Sequence, residues 1–400
     1  MRKLSLTFML ALFVGLNSSF AQEENKEGGY IFTSEKEVKH TSVKDQNRSG
    51  TCWSYSGMGL MEAELLRLGK GEYDLSEMWV VNKSYNDKAD IYVRMHGNYN
   101  FSGGGAFFDV INTIKKYGIV PETVYSGNNY GEVLPVHGEL DAILEGYVKA
   151  VVSNPNKKLS LAWKKGYNAV IESYLGIAPE NFTFQGKEYT PQTFAQRLGL
   201  PLDDYISLTS FTHHPFYTSF AIEIPDNWAQ EVSWNITLDE LLQTIRYAID
   251  NGYTVAWGAD VSDKGFNWGK GVAVLPEKDF DTDDGSDRAR WEKLSKKDQD
   301  EELYSFEKPG KEKNITQQNR QDAFDNYTTT DDHGMLIVGT ATDQNGTPYF
   351  KVKNSWGEKS SNPYQGYFYA SEPFIKMQTI NIVVHKDAIP KEIRKKLNIK

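Results

Sequence analysis

The sequence predicts an α+β fold, with helices first and strands last. Two observations carry that reading. From residue 51 apolar side chains recur with helical spacing, at Trp53, Met58, Met61, Leu65 and Leu68, until Gly69 ends the run. From His333 onward the pattern changes to strands: 334–340, 348–354 and 366–370 are rich in β-branched and aromatic residues, separated by turns at Asn345-Gly346 and Gly357.

Each element follows from local signals. Ser49 or Thr51 can cap the first helix, and Gly57 and Gly59 inside it weaken it, which marks a close approach by another element. Asp74-Leu75-Ser76-Glu77 reads as the cap of a second helix running to about residue 85. Residues 106–117 read as a third helix, closed by Gly118 with Pro121 beyond. The segment 131–250 is less regular and reads as a helical insertion, with helices over 140–152, 163–175 and 238–250, the last stopped by Asn251-Gly252. Residues 253–259 alternate as a strand. Residues 279–313 are crowded with charge and poor in aliphatics, the composition of a charged surface insertion. No internal repeat is present.

The first 21 residues read as a secretory signal peptide: Arg2 and Lys3, an apolar run over 4–16, and Ser19-Phe20-Ala21 before Gln22. The apolar run is too short to span a bilayer, and no later stretch reaches about eighteen apolar residues, so no stable membrane insertion is expected. The expected mature chain is a single domain over 22–400, exported to a periplasmic or extracellular space. A net charge of −10 argues against nucleic acid as a partner, since phosphate binding needs a concentrated basic face. The one basic cluster, Lys391, Arg394, Lys395, Lys396 and Lys400, reads as a solvated helix face.

The chemistry starts from one thiol. Cys52 is the only cysteine among 400 residues, so it cannot close an internal disulfide. It lies in Gln46-Asn47-Arg48-Ser49-Gly50-Thr51-Cys52-Trp53-Ser54, at the start of the first helix, where unpaired N–H groups favour an anion. A thiol near pKa ~8.5 also needs a base. His333, at the start of a strand in Asp331-Asp332-His333-Gly334, is the candidate, expected to hold the proton as an imidazolium beside the thiolate. Asn354, in Lys353-Asn354-Ser355-Trp356-Gly357, can orient the imidazole, with Trp356 shielding that bond; Asp331 and Asp332 are rival orienters. The Gln46 side-chain amide and the Cys52 N–H can receive charge developing on a carbonyl oxygen. The bare backbone of Gly103-Gly104-Gly105 can lie against an extended peptide and pair with it. The pair His213-His214 invites a metal reading, but no third ligand at useful spacing supports it, so no metal site is expected.

These segments resemble the papain superfamily of cysteine peptidases and, within it, the bleomycin hydrolase and aminopeptidase C family. The resemblance runs through 45–67, 75–81, 92–109, 118–125, 320–339 and 350–357, about a third of the mature chain; RSGTCWSYSG, YVRMHG and TTDDHGM carry it. It implies a two-lobe papain-like fold with helical insertions, the helical lobe carrying Cys52 as nucleophile and the β-rich lobe carrying His333 as base and Asn354 as orienter. Gln46 takes the oxyanion position, and Gly103 and Gly104 match the position that pairs with substrate backbone. No cofactor is implied, only reducing conditions; the partner is a peptide or protein substrate, and a homo-oligomer is compatible with the family. Two departures stand out. Relatives of this branch are mostly cytoplasmic, whereas an export signal is read here. Their C-terminal arm enters the cleft and limits them to trimming from the N-terminus; here Ile389-Pro390-Lys391 leads only into a short basic helix. An open cleft and endopeptidase action are therefore an alternative to aminopeptidase action. A peptide-binding scaffold without turnover is the non-enzymatic alternative.

Overall fold

The computed structural model describes residues 29–278, 285–359 and 361–400. The signal-like segment 1–21 and the start of the charged segment, 279–284, lie outside the described residues. After a short strand β1 (Phe32–Glu37), the chain turns at Thr51 into α1 (Cys52–Arg67). Ser49 and Thr51 do not cap it: their hydroxyls bond each other at 2.5 Å, and no side chain caps the helix N-terminus. α1 is buried along nearly its whole length, as a helix that is apolar on most of its faces must be.

α2 (Glu77–Arg94) is capped by Ser76, whose Oγ accepts from the Trp79 N–H at 3.0 Å. It runs past residue 85 because Lys88, Ala89 and Tyr92 continue its buried face. α3 (Phe107–Tyr117) crosses α1 at Gly57, where a Cβ would lie 2.7 Å from Val110 Cγ2, and Gly59 faces Leu336 Cδ2 at 3.5 Å. Gly57 thus marks a close approach, whereas at Gly59 a Cβ would make only ordinary contact. α4 (Gly138–Val152), α5 (Ala162–Leu175), the hairpin β2 (Phe182–Phe184) and β3 (Lys187–Tyr189), and α6 (Pro191–Leu198) complete a helical lobe around one apolar core.

The rest is built on a large sheet. β4 (Tyr205–Thr209), β5 (Ser219–Ala221) and β6 (Val232–Asn235) precede α7 (Leu238–Asp250), followed by β7 (Val255–Ala259), β8 (Phe266–Asn267) and β9 (Val272–Ala273). Then come α8 (Gly285–Lys293), α9 (Lys296–Leu303), α10 (Gln317–Asp325), β10 (His333–Asp343), β11 (Pro348–Lys353), β12 (Tyr367–Ser371), α11 (Glu372–Gln378), β13 (Thr379–His385) and α12 (Lys391–Lys396). The strand order is β5-β6-β4-β13-β7-β10-β11-β12-β9-β8, with β1 also paired to β10. α7, α11 and α12 supply a second core beneath the sheet.

Two expectations need correction. The segment 131–250 is not purely helical: β4, β5 and β6 belong to the main sheet. Runs this short, broken by His213-His214-Pro215, are below the length at which strand alternation is legible. β7 does not alternate, because all five positions are buried: α1 covers one face of the sheet there and α7 the other. β13 went unread for the same reason, lying between β4 and β7 in the middle of the sheet. The described part of the charged segment is helical, as α8 and α9.

Adding a methyl to a helix normally stabilises it, by about 0.5–1 kcal/mol for Gly→Ala. Gly57→Ala is expected to do the opposite, by about 1–3 kcal/mol, because Val110 Cβ and Cγ2 have nowhere to retreat. Gly146→Ala, on an open face of α4 with nothing within 4 Å of the new Cβ, is expected to stabilise. Thermal melts of the two variants that move in the same direction would contradict this packing.

Candidate active site

α1 lies across β10 with its first turn at the strand's start. Gly334 makes this approach possible, since a Cβ there would fall 2.9 Å from Ser56 Oγ and 3.0 Å from Phe107 Cε1. Cys52, His333 and Gly334 therefore face one cavity, which holds about 570 Å³ of space open to solvent. Asn354 follows β11, hydrogen-bonded beside β10, and its Oδ1 lies 2.7 Å from His333 Nε2. The same oxygen accepts the Ser355 N–H at 2.8 Å. A backbone N–H can only donate, so Ser355 fixes which end of the amide faces the imidazole. Nε2 then carries the proton, and Nδ1 is left as the basic nitrogen. Trp356 packs on the ring, with centroids 4.8 Å apart. Asn354, not Asp332, is the orienter by this geometry: Asp332 Oδ1 instead accepts the Val261 N–H at 2.9 Å.

Gln46 is brought to the same corner from the loop before α1. Its Oε1 accepts from Ser355 Oγ at 2.6 Å and its Nε2 donates to Ser49 O at 2.8 Å. An amide nitrogen has two hydrogens, so one remains for an incoming oxyanion.

Burial works against each half of the ion pair expected from sequence. Burial pushes the Cys52 thiol up to about 12; the Gly334 and Trp53 N–H groups oppose this, and Asp331 and Asp226 reinforce it. Burial also draws His333 down to about 4, against the Asn354 hydrogen bond. A lone charge on either group is disfavoured, because it loses its hydration in this site. The charged pair forms when the proton passes from thiol to imidazole, with both charges appearing together.

Gly105 lines the cavity with Cys52, but Gly103 and Gly104 do not, and their outer face is occupied. Gly103 O accepts from Trp53 Nε1 at 3.1 Å, and a Cβ at Gly103 would fall 3.0 Å from Asp141 Oδ2. A Cβ at Gly104 would fall on the Asp226 carboxyl. Lys88, buried beneath, donates to Ser102 O at 2.8 Å and to Gly104 O. Asp226 was not anticipated; it sits in Pro225-Asp226-Asn227-Trp228, between β5 and β6. The one local signal was a tryptophan inside a polar turn. Trp228 explains it, since its Nε1 donates at 2.7 Å to Asp109 Oδ2, which also accepts the Ala106 N–H at 2.8 Å.

The His213-His214 pair does meet a third group. Glu223 Oε2 and Oε1 lie 3.1 Å and 3.0 Å from the two Nε2 atoms, so the three side chains have the spacing of a metal cluster. Gln321 argues for hydrogen bonding instead. Its Oε1 takes the Thr212 N–H and its Nε2 donates to Asp325, so its remaining hydrogen points at His213 Nδ1, 3.0 Å away. With Nδ1 accepting, Nε2 carries the proton and donates to Glu223. The cluster ties the start of the Asp226 loop to the body of the protein.

Among the described residues no helix is long and apolar enough to cross a membrane. Of the residues lining the cavity, the last in the chain is Asn381. α12 packs elsewhere, with Ile389, Ile393 and Leu397 in the second core and Lys396 Nζ 2.6 Å from Glu240 on α7.

With this geometry established, the chain can be set beside known proteins. The Peptidase C1-like family model matches residues 284–400. An aminopeptidase C of Streptococcus thermophilus is 24% identical over 430 residues, covering 94% of this chain and 87% of that protein. An aminopeptidase C of Lactobacillus delbrueckii subsp. lactis is 22% identical over 401 residues, covering 90% and 82%. Among solved structures, PepW from Lactobacillus rhamnosis HN001 superposes with a TM-score of 0.69 at 21% identity, covering 92% of this chain and 84% of that one.

Asp109 supplies a pH test of this architecture. Burial pushes its carboxyl up to about 7, opposed by the Ala106 N–H, Lys88 and Trp228. A folded-state value above the unfolded one means that the folded state is favoured while the group is protonated. That contribution is lost as pH rises from about 4 through about 7, on the order of 4 kcal/mol in all. Asp109→Asn keeps an oxygen able to accept both N–H groups but cannot ionise. The variant is expected to gain stability over wild type as pH rises from 5 to 8, in paired urea titrations. Parallel curves would mean that Asp109 is ionised without penalty.

Proposed function

We propose that this chain is a papain-like cysteine peptidase of the bleomycin hydrolase and aminopeptidase C family and that it hydrolyses peptide bonds through a Cys52 thioacyl-enzyme. The observation that carries the assignment of roles is the 2.7 Å bond from His333 to Asn354 behind a cavity that Cys52 also lines. In this reading His333 Nδ1 takes the thiol proton as Cys52 Sγ attacks the carbonyl carbon. The imidazolium then gives that proton to the leaving amine, and a water deprotonated by His333 releases the acid and restores the thiol. Asn354 holds the ring through both half-reactions. The spare Gln46 hydrogen and the first-turn N–H groups of α1 receive the oxyanion. The N-terminal 21 residues support export, under conditions that keep Cys52 reduced.

Cys52→Ala is expected to abolish hydrolysis of a fluorogenic peptide while the melting curve stays close to wild type; residual turnover at a substantial rate would refute the nucleophile. Gln46→Ala is expected to lower kcat about a hundredfold or more with little change in KM, since an oxyanion donor acts only in the transition state. Asn354→Ala is expected to be milder than His333→Ala, because the base survives without its orienter. The reverse order in kcat/KM would mean that another group positions the ring.

A further inference from the structure

Resting on that peptidase reading, we propose that Asp226 is a specificity-determining residue that makes this site an amino-terminal exopeptidase: its carboxylate receives the α-ammonium of a bound peptide, and the loop that bears it bars a longer chain. The argument begins with space. An extended substrate entering the cavity beside Gly105 and continuing toward its own N-terminus would pass over Gly104. That face is filled by the Asp226 carboxyl.

The loop has no freedom to swing away. Asn100 Nδ2 holds Pro225 O at 3.0 Å, Tyr99 Oη holds Trp228 O at 2.6 Å, and Trp228 is bonded to Asp109 in the helical lobe. From within, Asn227 Nδ2 donates to Ile222 O at 3.2 Å and Glu231 O at 3.0 Å. These bonds span both sides of the turn, so it behaves as a fixed wall.

The second line of argument is charge. Among the described residues, the hydrogen bond to Asp226 is a long one, from Ser102 Oγ at 3.4 Å. Lys88 attracts the carboxylate from a distance but spends two of its three N–H groups on carbonyls and makes no hydrogen bond to Asp226. A carboxylate so placed lacks the strong donors that usually compensate its desolvation. It also opposes ionisation of Cys52, which lies in the same cavity. A residue that hinders the nucleophile at rest is explained if the substrate brings a cation to it. An α-ammonium is protonated at neutral pH, with pKa about 8, and has the three donors that Asp226 lacks. Its arrival neutralises Asp226 and removes that opposition to the thiolate. Binding of the correct end of a peptide thereby helps to ionise the thiol.

The test uses three peptides of one sequence on the full enzyme: free amino terminus, acetylated terminus, and a des-amino form lacking only the nitrogen. Wild type is expected to cleave the free peptide at its first bonds, with kcat/KM at least about tenfold above both others. Asp226→Asn, nearly the same shape without the charge, is expected to lower kcat/KM on the free peptide about ten- to a hundredfold and not to lower it on the other two, for which loss of the charge eases ionisation of Cys52, so that the ratio collapses. Equal cleavage of all three peptides by wild type, or a ratio unaffected in Asp226→Asn, would overturn the proposal. So would a collapse produced by Asp331→Asn but not by Asp226→Asn. The des-amino comparison needs no variant and stands even if a substitution misfolds. Labelling of Cys52 by a thiol-directed peptide inhibitor separates the two readings. If Cys52 is labelled and the ratio is flat, only the Asp226 assignment fails; if no peptide is cleaved and no label is taken up, the peptidase reading fails and takes this one with it.

Discussion

Everything in the site depends on how closely α1 can approach β10. Neither the thiol nor the imidazole belongs to a loop: Cys52 opens a helix and His333 opens a strand. Their relation is therefore set by helix-on-sheet packing rather than by local chain conformation. Gly334 on the strand permits that packing, since a Cβ there would fall 2.9 Å from Ser56 Oγ, while Gly57 lets α3 close on the helix from another side, against Val110. Well-packed interiors resist small displacements, so this contact gives the reactive pair a rigidity that hydrogen bonds alone would not.

Behind the pair is a buried polar cluster that joins the same elements. Glu62 of α1 is fully buried, accepts from Thr41 Oγ1 at 2.6 Å and pairs with Lys44 at 2.9 Å. Lys44 also pairs with Glu77 at 2.6 Å, and Lys353 of β11 reaches Thr41 at 3.2 Å. The Lys44 ammonium is held well above its usual range by Glu77, Glu62 and Asp74, outweighing its burial. Burial leaves Glu77 near 7 in spite of Lys44. Such clusters contribute little net stability compared with an apolar core of the same volume. Their use here is directional: helices α1 and α2 and strand β11, which leads into Asn354, are locked in one register.

How much of this was legible beforehand follows from physical range. Cys52, His333, Asn354 and Gln46, proposed as nucleophile, base, orienter and oxyanion donor, are tied to local signals: a helix start, a strand start, a strand end and a loop six residues upstream of the thiol. All four converge on one corner of the fold. The outer helices were readable because they are amphipathic. The central strands β7 and β13 were not, because burial on both faces erases alternation. Burial, which works against a lone charge on Cys52 or His333, was not visible in the sequence, whereas the helix position was. Asp226 escaped notice because its significance lies in a contact with Gly104, some 120 residues away in the chain. No local pattern encodes such a meeting.

The peptide unit between Asn354 and Ser355 has a further consequence. Its N–H fixes the amide that orients the base, and the adjoining Ser355 hydroxyl fixes the amide of Gln46. Proton transfer and oxyanion binding are usually treated as separable contributions, each open to independent adjustment. Here one dipeptide is the common mount for both. A displacement of that backbone by a few tenths of an ångström would detune them in concert, so substitutions at the two ends should be strongly non-additive. Natural variation around this turn is thereby constrained to changes that preserve two alignments at once.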